Sequence, residues 1–490
     1  MRFFNKKSYT FSATFKDKSN VMIYRFACYS ILTLVNILFQ SGIPVFGQQH
    51  PNVIVILSDD GGYDDFGCYG GKEVHTPNID ALAKNGIRFQ SAYASASVCA
   101  PSRAGLLSGR YQQRFGFEHN ISKRPTAGVA PEEIGIDTRV ATIADFMKYN
   151  GYKTIAIGKW HQGDGPQFNP LKRGFDHFYG FIGGDRPYFP IHGTVKPTQI
   201  LYDDRTAVPE DSIHYLTETL TDKAISYIQQ YRSEPFFMYL AFNAVHTPVE
   251  APLATIDKYK NIADPLRRAY LAMLDNMDEN IGRLVRQLKQ EGLYDNTLII
   301  FMNDNGAATN NGADNGQLRG LKGSKWEGGI RVPLIMQWPA KLPKGITSAA
   351  MVSGMDILPT SIDAIKGKKI PGQHIDGISL LSSYSTEKNG HDYLFWRRGI
   401  ARAVRHKEWK LIVVKEDPIL LFNLKDDLRE QHNLAAKYPA RVKEMLHKLT
   451  EWEKDMENPK WLSSVLDNDQ NQLMKHRMDV VGRAAERQYP

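Results

Sequence analysis

Cysteine is nearly absent from this chain: three in 490 residues, at Cys28, Cys68 and Cys99. A disulfide scaffold is thereby excluded, because stapled folds carry cysteine at far higher density. Apolar runs long enough to cross a bilayer are missing too. The longest, Phe26–Phe39, spans 14 residues, against the roughly 20 that a membrane helix needs. With basic residues ahead of it, including Arg25, it reads as the apolar part of an export signal. Residues 1–47 are assigned to that leader, with Val45-Phe46-Gly47 suited to cleavage before Gln48 and Met22 as a second candidate start. A periplasmic or secreted protein without stable membrane insertion is expected.

Charge of one sign is scarce once the leader is set aside. Six basic residues (Arg2, Lys6, Lys7, Lys16, Lys18 and Arg25) stand there against Asp17, so most of the +8 formal charge belongs to the leader and about +3 remains. The basic pI therefore gives no reason to expect a nucleic-acid partner. Internal repeats and low-complexity tracts are also absent, which excludes solenoid and disordered architectures. Loss of Cys28 with the leader leaves Cys68 and Cys99, and counting alone leaves a bridge between them open.

What is present is an alternation of short apolar runs with helical patterns. Asn52–Ser58 (NVIVILS) is a continuous β-branched run, as in a buried parallel strand. Similar runs stand at Lys153–Ile157, Pro235–Phe242, Thr297–Met302 and Val332–Gln337. Between them lie helical patterns, including one opened by Thr76-Pro77 with Gly86 as its expected stop, and the long stretch Ala263–Glu291. This predicts an α/β sheet covered on both faces. Past residue 385 the texture changes: Ile400–Val414 and Ile419–Asn423 read as antiparallel strands, and Tyr438–Met456 as an amphipathic helix. The expected organisation is a catalytic unit over 48–384 and a smaller C-terminal α+β domain over 385–490 that completes the substrate cleft.

Ligands of open α/β sheets bind beyond the carboxyl ends of the strands. Polar clusters sit there: Asp59-Asp60 after the first run, Lys159 and His161 after the second, His246 after the third, Asp304-Asn305 after the fourth. A lone Asp-Asp at a strand end commonly caps a turn. Two oxygen-donor clusters at equivalent strand ends suit a hard cation instead, and Ca²⁺ tolerates irregular oxygen coordination better than Mg²⁺. Arg103, Lys159, Lys322, His161 and His246 add cations and proton carriers; with a divalent metal they describe a pocket for a compact multivalent oxyanion. Cys99 precedes a predicted helix with Pro101 in its first turn. Its residue chemistry leaves an inert buried thiol and a helix-activated thiolate both open.

The stretch CAPSRAGLLSGR, with Cys99, Pro101, Ser102, Arg103, Gly109 and Arg110, resembles the signature of the type I sulfatases, in the alkaline phosphatase superfamily. SDDGGYDDFGCYG, TPNIDALAKNGIRF, GKWHQG, HTP, NDNG, KGSKWEGGIRVP and LFNLKDDLREQHNLA follow the family's order, from about residue 50 to 455. PQFNPLKRGFDHFYGF is similar to the branch holding galactosamine-6-sulfatases and arylsulfatase A. The departures are mild: Asp64 where many relatives carry Gly, and Gln162 where Leu is common.

The resemblance implies a large, mixed, mostly parallel sheet between helices. It implies Cys99 converted to formylglycine by a maturation enzyme during export, which would give the thiol a third fate. One calcium ion is implied on Asp59, Asp60, Asp304, Asn305 and the modified Cys99. Arg103 would orient the formylglycine and share sulfuryl charge with Lys159 and Lys322. His161 would lie near the nucleophile and His246 face the leaving group. Lys322 rather than Lys325 fits the pattern K-G-x-x-x-E-G-G ending at Glu327. The implied substrate is a sulfated carbohydrate, with Asp185, Arg186 and His192 expected to line the sugar subsite. A phosphate or phosphonate ester hydrolase of the same superfamily and an inactive sulfated-glycan-binding protein are the alternatives.

Overall fold

The computed structural model describes residues 50–386, 390–465, 468–478 and 481–483; the leader and Cys28 lie outside them. Residues from His50 onward cluster as one compact unit. Its frame is a ten-stranded sheet built from β1 (Asn52–Ser58), β2 (Ile87–Tyr93), β3 (Lys153–Lys159), β4 (His177–Phe181), β5 (Tyr202–Asp203), β6 (Thr206–Ala207), β7 (Phe236–Ala241) and β8 (Thr297–Asn303), together with two later strands, β10 and β11. The intervening β9 (Asp314–Arg319) belongs elsewhere; β10 spans Leu334–Gln337 and β11 Ile346–Ser353. The order is β11-β2-β10-β8-β1-β7-β3-β4-β5-β6. Strand β1 sits centrally, parallel to β7 and β8, while β10 runs antiparallel to β8 and β2.

The β-branched runs form strands because alternate side chains can be buried on both faces. Ile54 and Ile56 join Ile155, Ile157, Met238, Leu240, Ile299 and Phe301 on one face. Val53, Val55 and Leu57 join Phe237, Tyr239, Leu298 and Ile300 on the other. The helices Leu216–Gln230 and Pro265–Gln290 contribute to the first face's core, and Cys99–Ser108 and Ile143–Tyr149 to the second's. Asp264 caps the long helix by accepting a bond from Leu266 N at 2.9 Å, with Pro265 at its first position. The helix ends at Lys84 with Asn85 as its C-cap, so Gly86 follows directly where the stop is expected. A Cβ at Gly86 would lie 2.4 Å from the Met336 carbonyl oxygen, so glycine is also needed there for close approach to β10.

A separate antiparallel sheet follows: β12 (Tyr393–Arg398), β13 (Ala401–His406), β14 (Trp409–Val414) and β15 (Leu420–Asn423), in that order. Its core includes Leu411, Ile412, Leu421 and Phe422 with Met445 and Leu449 of the Pro439–Glu453 helix. Late in the chain β16 (Val481–Arg483) pairs with β9. Among the described residues, no helix is long and apolar enough to cross a membrane.

A buried charge cluster ties this second sheet to the loop that carries Lys322. Lys410 Nζ, on β14, lies 2.8 Å from both Glu327 and Glu430, and all three side chains are fully buried. Glu430 accepts the Glu327 backbone N–H at 2.7 Å, and Tyr93 donates its hydroxyl to Glu327, also at 2.7 Å. Removing the cation while keeping its bulk leaves two carboxylates buried together. Lys410→Met is therefore expected to destabilise the protein by about 3–5 kcal/mol in urea unfolding; a loss under about 1 kcal/mol would show that the cluster relaxes without its cation.

Candidate active site

Five strands, not four, deliver polar residues to one sheet edge. The sequence pattern missed β2, which leads through residues 94–98 into Cys99. That residue is the first of the Cys99–Ser108 helix, whose N-cap is Val98, rather than a residue ahead of it. Strand β3 likewise runs two residues further than its apolar pattern and ends at Lys159 itself. Both cysteines among the described residues are free thiols, so no Cys68–Cys99 bridge forms.

At this edge Asp59, Asp60, Asp304 and Asn305 are buried together. Cys99 Sγ lies 3.6 Å from Asp59 Oδ1 and 3.9 Å from Asp60 Oδ1. Lys322 Nζ is 2.9 Å from Cys99 Sγ and 2.7 Å from the Asp60 carboxylate, while Lys159 pairs with Asp59 Oδ2. Lys325 points elsewhere, to Ser97 Oγ at 3.1 Å. Ligand atoms of Asp59, Asp60, Cys99 and His246 all fall within 4.8 Å of one another. Asp304 stands in the adjoining wall, accepting from Asp60 N at 3.3 Å and from Arg103 Nε at 3.0 Å. Asp60 holds a left-handed φ of 61°, and His161 one of 54°, conformations that non-glycine residues keep only where the surroundings enforce them.

The electrostatics are those of crowded opposite charges. Burial alone would raise the Asp60 carboxyl, but Lys322, His246 and Lys159 hold it well below the usual range. Burial and the Asp59 charge push Asp304 up to about 6, against the pull of Arg103. Burial also pushes the Cys99 thiol well up despite Lys159 and Lys322, which disfavours the thiolate alternative. His161 is held neutral by burial and by the cations Lys159, Arg103 and Lys322. His246 is lowered to about 4, chiefly by burial and Lys159.

These residues fit a hard cation. The side-chain oxygen Asn305 Oδ1 is buried without a hydrogen-bond partner among the described residues, and such an atom is costly unless something is bound to it. Three neighbouring carboxylates supply further oxygens and the excess negative charge.

The Arg103 side chain is fully buried and its guanidinium is directed at Asp304 Oδ2 (2.9 Å), Asp59 Oδ2 (3.4 Å) and the Lys159 carbonyl (3.2 Å). It braces the carboxylates that surround residue 99. Two residues to which the sequence assigned no site role hold the residue after Cys99. Asn120 Oδ1 accepts the Ala100 N–H at 3.0 Å, and Gln162 Nε2 donates to the Ala100 carbonyl at 2.9 Å. They clamp both sides of the residue after Cys99, which gives Gln162, the departure from the family pattern, a local purpose.

Adjoining this cluster through His246 opens a cleft of about 590 Å³ whose lining includes His161, His246, Asn120, Asp164, Asp185 and Thr198. His246 Nδ1 donates to the Thr247 carbonyl at 2.7 Å and its Nε2 is 3.5 Å from Asp60 Oδ2. A Cβ at Gly184 would lie 2.7 Å from His161 Cε1 and Nε2, so the His161 ring uses space that only glycine leaves. Of the three residues expected around the sugar, only Asp185 lines the cleft. Arg186 is fully buried in an ion pair with Glu210 at 2.7 Å, and His192 is exposed outside the lining.

A family model described as Sulfatase matches residues 51–367, and one described as N-sulphoglucosamine sulphohydrolase, C-terminal, matches 322–458. The chain is 31% identical to mouse (Mus musculus) arylsulfatase J over 83% of this chain and 76% of that protein. It is 33% identical to pig (Sus scrofa) N-acetylgalactosamine-6-sulfatase over 75% of this chain and 72% of that protein. The crystal structure of Ps i-CgsB in complex with k-i-k-neocarrahexaose superposes with a TM-score of 0.79 at 35% identity, covering 87% of this chain and 98% of that one.

Proposed function

The chain belongs to the sulfatase family and is a sulfuric ester hydrolase; from that premise we propose that it removes sulfate from a sulfated carbohydrate, using formylglycine at position 99 and one calcium ion. The observation that carries this reading is the convergence of Lys322, Asp59 and Asp60 on Cys99, joined through His246 to a sugar-sized cleft that both histidines line. Support for the carbohydrate comes from the N-acetylgalactosamine-6-sulfatase relative and from the neocarrahexaose complex of the structural neighbour. The export leader and the Cys-Ala-Pro-Ser-Arg stretch support maturation by an enzyme that reads this motif, and a periplasmic or secreted location.

Formylglycine supplies the attacking oxygen that an unreactive buried thiol cannot. Asp59, Asp60, Asp304, Asn305 and the modified residue 99 would hold the calcium ion, which when bound would supply Lewis-acid polarisation of the sulfuryl group. The chain's own groups do the rest. Lys159 and Lys322 are placed to hold sulfuryl oxygens as point charges. Arg103 fixes Asp304, Asp59 and the end of β3, so that neither carboxylate swings away. His161, kept neutral, accepts a proton beside residue 99. His246, neutral with its proton on Nδ1 in the free site, must first gain one at Nε2, which the negative charge of a bound sulfate ester favours. It then delivers that proton to the departing sugar oxygen.

The function is tested by offering matured protein a panel of defined saccharide sulfates beside the matching phosphates. Sulfate esters should be turned over at least about 100-fold faster; preference for phosphate would favour the phosphohydrolase alternative. The metal is tested by stability. Adding calcium to metal-free protein should raise the unfolding midpoint, with about 2.7 kcal/mol gained at a hundredfold excess over Kd. Asp304→Ala should erase that rise, and an unchanged rise in the variant would remove Asp304 from the site.

A further inference from the structure

The cleft is electrically lopsided. At the catalytic end Lys159 pairs with Asp59 and Lys322 Nζ lies 2.9 Å from Cys99 Sγ, and His246 belongs both to that cluster and to the cleft lining. The lining itself carries two carboxylates, Asp164 and Asp185, and no lysine or arginine among the described residues. Asn120, Thr198 and Thr247 complete the polar lining and are uncharged. Asp185 is held in place, accepting a bond from the buried Gln199 Nε2 at 3.0 Å. Asp164 is exposed at the cleft edge.

Such a cleft is complementary to a ligand with one anionic head and an uncharged, hydroxyl-bearing body. Carboxylates accept hydrogen bonds from hydroxyl and amide groups, and charge-assisted bonds of this kind are the strong ones. A second anion on the same sugar ring would meet like charge in a confined space with no cation to pair it. Repulsion of that sort is how a site discriminates among ligands that share the recognised head group.

We propose that Asp164 and Asp185 are specificity-determining residues: they admit a sulfated sugar whose other ring substituents are hydroxyl or acetamido groups, and reject one bearing a second sulfate or a carboxylate on the same ring. The inference rests on the carbohydrate reading of the site and adds which sugars enter. Two unit charges at about 6 Å, under an effective dielectric between those of a protein surface and water, interact strongly enough to change relative rates by about 10–100-fold.

The test uses matured wild-type protein, the two single variants Asp164→Asn and Asp185→Asn, and the double variant. Each is assayed on the saccharide sulfate that the panel shows to be turned over fastest, and on its counterpart with a second sulfate on the same ring. The readout is the ratio of the two kcat/KM values, which is independent of how much of each preparation is active. The wild type should favour the monosulfated sugar by about 10–100-fold. The double variant should shrink that ratio about tenfold or more, with each single variant moving it the same way. Equal or better use of the disulfated sugar by the wild type overturns the inference, and so does an unchanged ratio in the double variant. Both of those outcomes leave the carbohydrate reading standing. Turnover of nitrophenyl sulfate with none of any saccharide sulfate would instead bring down the carbohydrate reading itself, and this inference with it.

Discussion

Cys99→Ala should abolish turnover, lowering kcat by about 10⁴-fold or more, the order seen when a nucleophile is deleted from a site whose other groups remain. The reason is local. Residue 99 is the first residue of a buried helix, with Ala100 clamped between Asn120 and Gln162, so its Cβ is aimed at Asp59, Asp60 and Lys322. Its neighbours are otherwise engaged: Asp59 and Asp60 face the cations Lys159 and Lys322, and His246 is fixed by Thr247. The same placement keeps an unmodified thiol protonated, because burial outweighs both lysines. Active protein should therefore carry an aldehyde at position 99, which peptide mass spectrometry detects directly. Full activity in protein whose residue 99 is entirely cysteine would refute this assignment of the nucleophile. The variant should still fold, since replacing a thiol by a methyl-sized group in the helix removes little apolar contact.

His246→Ala should lose about 10²–10⁴-fold on a saccharide sulfate, the usual contribution of a general acid, and clearly less on nitrophenyl sulfate. A sugar alkoxide is strongly basic when expelled and needs a proton; nitrophenolate leaves with little help. In the structure Thr247 fixes the His246 ring through Nδ1, which presents Nε2 on the cleft side beside Asp60. His161 comes from the end of a different strand, beside Lys159, and its ring packs into the space left by Gly184. A proton acceptor near residue 99 serves every substrate, so His161→Ala should slow both esters alike. Measuring the chemical step for both variants on both esters, at saturating calcium, decides the matter. Equal losses for His246→Ala on the two leaving groups would mean that it does not protonate the departing oxygen.

Much of the fold and part of the site can be read from the chain itself. The run Asn52–Ser58 is apolar at every position because a central parallel strand is covered on both faces, and that demand leaves a local imprint. Ile87–Tyr93 has no such run: Arg88 and Gln90 interrupt it on partly open positions, so β2 stayed hidden although it delivers Cys99. Motif residues such as Asp304-Asn305 were placed by their position after a strand. Arg186 misled for the opposite reason: its loop was right, but only the fold shows that Glu210 claims its guanidinium.

The sequence by itself determined what depends on near neighbours along the chain: the apolar strands buried on both faces, that Pro101 and Arg103 follow Cys99 into a helix, and that carboxylates and cations follow successive strands. Tertiary structure alone decided what depends on strand order. Lys322 reaches Asp60 across 262 positions of sequence, and Asn120 and Gln162 meet on Ala100 from opposite sides. Asp164 and Asp185 share a cleft with His246 from a separate strand. Local periodicity reports whether a side chain is buried, because burial is imposed residue by residue. It carries no record of which distant side chain lies opposite, since that partner is fixed by the packing of the whole sheet and by charges that must be paired once water is excluded.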